Sequence, residues 1–295
     1  MINSSSILNP LYLLCAEKIG RVILMKEFKL KNNNTIPALG LGTSGLRGKK
    51  CTEVVKTALE LGYRHIDTAD MYGNHRAVAK ALNESDIDRE KIFITSKIQS
   101  EDLEYSQLKK TADRLLDELE IEYFDLLLIH WPSPDIPVSE SLKAMKELKE
   151  AGKAINIGVS NFTIPLLKEA LDAYPDLITV NQVEFHPTLY QKELLDFAFK
   201  NDIILTAYSP LAQGDVFKNS VLKSLGEKYD KTPAQLALRW LIEKNIVAIP
   251  KASSKDHLKN NLDLFDWDFP VEAAREMELL NQNNRLIDPG YPDFD

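Results

Sequence analysis

The stretch Tyr123-Phe124-Asp125-Leu126-Leu127-Leu128-Ile129-His130-Trp131-Pro132 is the most informative segment of the chain. Its four consecutive apolar residues, 126–129, are typical of a parallel strand that is buried on both faces. Amphipathic helical patterns flank it over residues 106–119 and 139–151, where apolar residues recur every three or four positions. A buried strand between two amphipathic helices predicts one unit of a fold in which parallel strands and helices alternate.

The same alternation recurs along the chain, with no long linker between its units. The eight strand candidates are residues 38–42, 65–69, 92–97, 123–130, 154–159, 178–183, 203–208 and 246–251. Further helical patterns cover residues 54–61, 164–173, 192–201, 233–244, 253–262 and 271–281. Eight such units favour a closed barrel over an open sheet, so we predict an α/β fold of the (β/α)8 TIM-barrel type.

The first 24 residues differ from this pattern. The apolar run at residues 7–15 is interrupted by Pro10 and is too short to span a membrane. Met25 then opens a stretch that reads like a natural protein start. We therefore expect residues 1–24 to be an N-terminal extension, disordered or a start-site artefact, and residues 25–295 to form a single domain.

A short hairpin is expected before the first barrel strand. Residues 28–30 alternate in polarity, and the return strand begins at residues 35–36. The three asparagines between them are turn-forming residues. We predict that this N-terminal β-hairpin caps the bottom of the barrel.

The composition limits the partners and the compartment. The chain of 295 residues has a formal net charge of -8, and an acidic protein repels nucleic-acid phosphates. The two cysteines, Cys15 and Cys51, suggest neither a disulfide framework nor a metal site, which favours the reducing cytoplasm. We predict a cytoplasmic protein that binds no nucleic acid, membrane or metal, and a monomer by default.

Two motifs suggest other oxidoreductase folds. Residues 40–45 match G-x-G-x-x-G, and Asp67 follows at the distance expected of a dinucleotide-binding fingerprint. A glycine-rich turn after the first barrel strand explains the motif better, because backbone must pass close to other groups there. Tyr105 and Lys109 have Tyr-x-x-x-Lys spacing, as in short-chain dehydrogenases, but a solvated helix face is the better interpretation.

Polar residues stand where several predicted strands end. In α/β barrels the carboxyl ends of the strands face the active site. Asp67 ends the second strand, Tyr72 follows in its loop, Lys97 ends the third strand and His130 ends the fourth. Taken alone, each has an ordinary structural explanation: a helix cap, a surface ring, a rim lysine and a buried histidine. At successive strand ends, together they predict one catalytic set.

The chemistry of these groups indicates their roles. Tyrosine ordinarily has a pKa of about 10, and a nearby ammonium lowers it by favouring the phenolate. We expect Lys97, held by Asp67, to lower the pKa of Tyr72 in this way and make it a general acid and base. His130 would hold a carbonyl oxygen beside the Tyr72 hydroxyl, where an alkoxide develops when hydride arrives.

These motifs resemble those of the aldo-keto reductase family over nearly the whole chain, from about Met25 to the tail. The matching motifs are Gly62-Tyr-Arg-His-Ile-Asp-Thr-Ala69, Tyr72-Gly-Asn74, Leu128-Ile-His-Trp-Pro132, Gly158-Val-Ser-Asn-Phe162, Asn181-Gln-Val-Glu-Phe-His-Pro187, Tyr208-Ser-Pro-Leu211 and Ile249-Pro-Lys251. Within the family, the chain is similar to bacterial members of the 2,5-diketo-gluconate reductase type. The resemblance implies a catalytic tetrad of Asp67, Tyr72, Lys97 and His130.

The resemblance also implies a nicotinamide cofactor, NADP(H), with NAD(H) left open. The carboxamide would contact residues of strands five and six, the ring would stack on Tyr208, and the 2′-phosphate would bind Lys251. The implied cofactor-binding residues are Gly42, Thr43, Asp67, Ser160, Asn161, Gln182, Tyr208, Ser209, Leu211, Lys251, Ser253, His257 and Asn261. The implied substrate-binding residues are Tyr72, His130 and Trp131.

The sequence departs from the family pattern at three positions. His257 stands where an arginine often clamps the 2′-phosphate, and a neutral histidine is a weaker phosphate partner. Ala252 replaces a serine that often follows the lysine, although Ser253 and Ser254 could substitute for it. Ser44 stands where an aromatic residue is common at the substrate pocket. The segment between His130 and the helix near Ser139 is short, so we expect an open substrate pocket.

The leading functional hypothesis is NAD(P)H-dependent reduction of aldehydes or ketones to alcohols, including sugar-derived dicarbonyls, with Tyr72 as general acid and base. The first alternative is a non-catalytic, cofactor-binding barrel that serves as a redox sensor or structural protein. A second alternative is a barrel aldolase that forms a Schiff base at Lys97. The last leaves Tyr72 and the implied cofactor residues without a purpose.

Overall fold

The computed structural model describes Leu14–Ala16, Ile23–Met25 and residues 26–287. Strands β1 (Leu14–Ala16) and β2 (Ile23–Met25) pair in antiparallel fashion. The prediction of an extension at residues 1–24 otherwise lies outside the described residues, as does the end of the chain beyond residue 287.

The predicted hairpin consists of strands β3 (Glu27–Lys29) and β4 (Thr35–Pro37), which pair in antiparallel fashion. The side-chain amides of Asn32 and Asn34 both donate to Asn156 Oδ1, at 2.7 and 3.0 Å. Asn156 lies near the beginning of a barrel strand, and its own amide donates to the Asp125 carbonyl. These hydrogen bonds fasten the hairpin to the amino ends of the strands, which confirms that it caps the bottom.

Eight parallel strands follow the hairpin, in agreement with the predicted barrel. They are β5 (Leu41–Gly42), β6 (His65–Asp67), β7 (Phe93–Ile98), β8 (Phe124–Ile129), β9 (Ala154–Ser160), β10 (Ile178–Glu184), β11 (Ile204–Tyr208) and β12 (Val247–Ala248), paired in chain order. A parallel bridge between Leu39 and Ala248 joins the first strand to the last. There the Ala248 amide donates to the Ala38 carbonyl, and the Gly40 amide donates to the Ala248 carbonyl, both at 2.9 Å. The sheet is therefore a closed (β/α)8 barrel.

The helices surround this sheet. They are α1 (Gly48–Leu61), α2 (His75–Asn83), α3 (Tyr105–Leu119), α4 (Val138–Glu150), α5 (Ile164–Ala173), α6 (Lys192–Lys200), α7 (Ser220–Tyr229), α8 (Pro233–Glu243), α9 (Lys255–Leu262) and α10 (Val271–Glu278). Helices α2 and α7 were not predicted from the sequence. Helix α7 contains Gly226, an unfavourable helix residue, which is needed because a Cβ there would lie 2.5 Å from the Lys231 carbonyl oxygen.

The two motifs of other folds have structural explanations in the barrel. A Cβ at Gly40 would lie 2.7 Å from His65 Nδ1, and one at Gly42 would lie 2.7 Å from the Ile249 carbonyl oxygen. The glycines thus allow close packing at the seam of the barrel, which confirms the interpretation as a glycine-rich turn. Tyr105 and Lys109 lie on an outer helix, where the Lys109 ammonium is 2.7 Å from the Glu147 carboxylate.

Candidate active site

A buried ion pair lies at the carboxyl ends of two adjacent strands. Lys97 Nζ, which is 0% exposed, lies 2.6 Å from Asp67 Oδ1. The same ammonium donates to the Thr68 carbonyl at 2.8 Å, and Gln182 Nε2 reaches across the barrel to donate to Asp67 Oδ2 at 2.8 Å. Both carboxylate oxygens are therefore partnered, as a charge removed from water requires.

The charge of Lys97 depends on its partners. Burial lowers the pKa of the ammonium, but the negative charge of Asp67 and the Tyr72 hydroxyl together raise it above its usual value. Lys97 therefore carries a proton and a positive charge at neutral pH. A Schiff-base lysine must attack as a neutral amine, so this environment disfavours the aldolase alternative.

Tyr72 lies next to the ammonium. It ends a short 3-10 turn after β6, and its hydroxyl oxygen is 3.5 Å from Lys97 Nζ. Burial raises the pKa of Tyr72, and this effect outweighs the lowering by the Lys97 charge. The effect of Lys97 on the pKa of Tyr72 thus has the expected direction, but it does not bring this pKa below its ordinary value. Tyr72 keeps its proton at neutral pH and can donate it.

His130 faces the tyrosine from the end of β8. The two rings make an edge contact with their centroids 5.9 Å apart. Burial, followed by the positive charge of Lys97, lowers the pKa of His130 to about 3. The imidazole is thus neutral at neutral pH and can donate one hydrogen bond without introducing a second positive charge.

A hydrogen-bonded layer connects the tetrad to the next strands. Asn161, in a left-handed conformation at φ 63°, donates to the His130 carbonyl at 2.9 Å and accepts from the Tyr208 hydroxyl at 2.9 Å. Ser160 Oγ donates to the Gln182 carbonyl at 2.7 Å. The structure thus brings Ser160, Asn161, Gln182 and Tyr208 to the same end of the barrel as the tetrad, the carboxyl ends of the strands.

The remaining predicted cofactor residues occupy loops at the ends of β5, β11 and β12. The Thr43 amide and hydroxyl both donate to the Asp67 carbonyl, at 3.0 and 2.9 Å. Ser209 has a left-handed φ of 47°, and its carbonyl accepts from the Ala212 amide. Leu211 and Trp131 are partly buried.

The segment around α9 combines exposed and buried polar groups. Lys251, Ser253 and His257 are exposed, and the Ser254 hydroxyl caps α9 by accepting from the His257 amide. Asn261, one turn after His257, is 4% exposed. Its side-chain amide makes no hydrogen bond within residues 26–287 and keeps some contact with solvent. An amide that stays accessible in this way is available to a polar ligand.

The structural role of Asn74 was not predicted from the sequence. This buried amide donates to the carbonyls of Thr43 and Leu46, both at 3.1 Å, and accepts from the Thr68 hydroxyl at 2.6 Å. It thus joins the loop after β5 to the loop that carries Tyr72. Its presence in a matched motif was the only signal in the sequence, which gave no contact partner.

Within the residues that the structure describes, no helix combines the length and apolar character needed to cross a membrane. The same part of the chain contains no group of three or more histidine, cysteine, aspartate or glutamate side chains that could hold a metal ion.

Comparison with known proteins gave consistent matches. A family described as "Aldo/keto reductase family" matches residues 38–282. Glyoxal reductase of Bacillus subtilis is 40% identical over 264 residues, which cover 89% of this chain and 95% of the relative. Methylglyoxal reductase DkgB of Salmonella typhi is 39% identical over 258 residues, 86% of this chain and 97% of the relative. A crystal structure of a putative 2,5-diketo-D-gluconic acid reductase B has a TM-score of 0.86, with 36% identity over 88% of this chain and 94% of that one.

Proposed function

The chain belongs to the aldo/keto reductase family, and from this premise we propose that it reduces aldehydes and ketones to alcohols with NADPH. The observation that carries the proposal is the position of Lys97 Nζ, between Asp67 Oδ1 at 2.6 Å and the Tyr72 hydroxyl at 3.5 Å. A protonated phenol, a buried ammonium and a neutral imidazole meet there. This combination suits protonation of a developing alkoxide.

Each residue of the tetrad has one task. Tyr72 donates its proton to the substrate oxygen, and the Lys97 ammonium stabilises the phenolate that remains. Asp67 keeps Lys97 charged. His130 donates a hydrogen bond to the same oxygen and is aimed at the charge that develops in the transition state. A bound nicotinamide would supply the hydride.

The cofactor would lie across the mouth from β9 to α9. Ser160, Asn161 and Gln182 would hold the carboxamide, and the ring would stack on Tyr208. Backbone and side chains of the loops after β5 and β11 would contact the pyrophosphate, through Gly42, Thr43, Ser209 and Leu211. Barrels commonly bind phosphate after strands seven and eight, which supports this placement.

The adenosine end would determine the choice of cofactor. Lys251 and Ser253 are exposed and would bind the 2′-phosphate together with His257. Asn261 would use its side-chain amide on the adenine. We favour NADP(H) because a lysine is present, and leave NAD(H) as a second substrate because His257 is a weaker anion partner than arginine.

Small dicarbonyls are the proposed substrate class. Relatives named glyoxal and methylglyoxal reductase support it, as does Ser44, which is exposed beside Tyr72 where a larger side chain would narrow the pocket. Trp131 would form a wall of the pocket.

An activity assay tests the proposal. The protein is mixed with NADPH and a panel containing glyoxal, methylglyoxal and simple ketones, and cofactor oxidation is followed. Tyr72→Phe should lower kcat by about 10²–10⁴-fold, the usual effect of a general acid, and leave the Kd for NADPH nearly unchanged. Tyr174→Phe, which alters a phenol on another helix end, is the control and should retain full activity. Full activity of Tyr72→Phe would overturn the mechanism.

A further inference from the structure

A second buried carboxylate lies at the end of β10 and has no part in the proposed reaction. Glu184 is 0% exposed and accepts three hydrogen bonds. Its Oε1 lies 2.9 Å from His186 Nε2 and 2.8 Å from the Leu286 amide, and its Oε2 lies 2.9 Å from the Ile287 amide. Two of the three donors thus come from residues 102 and 103 positions further along the chain.

The histidine in this cluster is oriented by a third side chain. His186 is also 0% exposed, and its Nδ1 lies 3.0 Å from the Thr188 hydroxyl. His186 Nε2–H donates to Glu184, because a carboxylate oxygen accepts. The Glu184 carboxylate is thus held by His186, two residues along the chain, and by the backbone amides of Leu286 and Ile287. Those hydrogen bonds and the His186 side chain hold the pKa of Glu184 below its usual value even though burial raises it.

The segment that Glu184 holds is here called the C-terminal strap, residues 282–287. The Thr188 carbonyl accepts from the amides of Gln282 and Asn284, at 3.1 and 3.0 Å. The Arg285 guanidinium lies 3.5 Å from Gln191 Oε1. The strap is thus attached to Thr188 and Gln191 of the loop between β10 and α6, and the Glu184 carboxylate holds residues 286 and 287.

The strap lies close to the proposed nicotinamide site. Glu184 is the register partner of Tyr208 on the neighbouring strand, and the Phe185 amide donates to the Tyr208 carbonyl. Burial raises the pKa of the Tyr208 phenol, Glu184 raises it further and Arg285 lowers it, so charges of the strap and its anchor both act on this ring.

We propose that Glu184 is a positioning residue that fastens the C-terminal strap beside Tyr208 and thereby slows the release of the nicotinamide cofactor. The second half of the statement rests on the proposed function, because it takes Tyr208 as a cofactor contact. A carboxylate is needed because three donors converge on its two oxygens. Glutamine has the same size, but it offers one acceptor oxygen and directs an N–H group at the remaining donor.

Trypsin provides a test that needs no cofactor. Cleavage after Arg285 requires the Leu286 amide to leave Glu184, and intact mass measures the product. We expect Glu184→Gln to be cleaved about tenfold faster than wild type, as for the loss of a charge-assisted hydrogen bond. Glu150→Gln makes the same change at an exposed residue of α4 and should be cleaved at the wild-type rate. Equal rates for Glu184→Gln and wild type would overturn the proposal.

A change in the strap itself covers the case in which Glu184→Gln does not fold. Ile287→Pro removes the amide that donates to Glu184 Oε2 and leaves the buried anchor intact. It should also be cleaved several-fold faster after Arg285. Unchanged cleavage in this variant would contradict the role of the Glu184 contacts.

Stopped-flow measurement of NADPH release, monitored by cofactor fluorescence, tests the proposed effect of the strap on cofactor release. Both variants should release NADPH at least about threefold faster than wild type and Glu150→Gln. Faster proteolysis with unchanged NADPH release would overturn the proposed effect on cofactor release. Glu184 would then still be the residue that holds the strap. If wild type binds no nucleotide, the proposed function fails, while the proteolysis result still decides whether Glu184 holds the strap.

Discussion

Removal of either member of the Asp67–Lys97 pair should destabilise the barrel strongly. Lys97→Met leaves the Asp67 carboxylate with only Gln182, and Asp67→Asn leaves a buried ammonium with neutral acceptors and no counter-charge. Breaking a buried pair from one side typically costs about 3–5 kcal/mol. For a domain of this size, that loss lowers Tm by roughly 6–20 °C.

The double variant Asp67→Asn/Lys97→Met should lose less than the sum of the two single losses. Neither side chain then leaves an unpaired charge, and replacing whole buried pairs is often close to neutral. We expect a coupling energy of at least about 2 kcal/mol, within the range found for contacting residues. Lys109→Met breaks a half-exposed pair with Glu147 and should cost less than about 1 kcal/mol.

Equilibrium urea unfolding at neutral pH, followed by circular dichroism and fluorescence, measures these free energies. Single losses below about 1 kcal/mol, or additive losses, would refute the reasoning. They would mean that the two groups are not an ion pair in the folded protein. Lys97→Met, Asp67→Asn and the double variant should lack reductase activity, so their stability must be measured independently of turnover.

Three further outcomes are expected. Burial lowers the pKa values of His65 and His130 to about 3, so each contributes stability above pH 6.5 that is lost on acidification. Below pH 6.5 the free energy of unfolding should fall by up to about 1.4 kcal/mol per pH unit for each histidine. His130→Asn should remove one of these two contributions, which urea titrations at pH 6.5 and 5 measure. His257→Arg should lower the Kd for NADPH about tenfold in fluorescence titrations and leave that for NADH unchanged, because arginine binds phosphate in a bidentate manner; equal changes would contradict a 2′-phosphate contact. Asn74→Ala should cost about 1–3 kcal/mol in thermal unfolding and lower kcat by displacing Tyr72, whereas a change in stability alone would reduce Asn74 to a structural role.

The strands could be predicted because parallel barrel strands are short apolar runs that helices cover on the outside. The clustering of Asp67, Lys97 and His130 followed from their places at neighbouring strand ends. Strand β12 is shorter than predicted, Val247–Ala248 rather than residues 246–251, because Pro250 lacks the amide that a ladder needs. The short helix α2 was missed because it directly follows the tyrosine loop.

Contacts between distant parts of the chain could not be predicted. Gln182 reaches Asp67 across the barrel, and the carboxylate of Glu184 meets amides near the chain end, at separations that no local pattern encodes. The direction of the Tyr72 pKa also depended on such contacts. A charge beside the phenol can be inferred from strand order, whereas the burial that outweighs it depends on the packing of the whole mouth.

The closing bridge between Leu39 and Ala248 has a kinetic consequence. It joins residues more than two hundred positions apart, and contacts of such long range form late because loop closure is slow. The Asp67–Lys97 pair needs only two adjacent strands, so it can form in a half-built sheet. The groups beside the seam, Gly42 and Lys251, come together only when the ring of strands is complete. We therefore expect a refolding chain to form the Asp67–Lys97 pair before the proposed nucleotide site, so the onset of nucleotide binding would report the last step of folding.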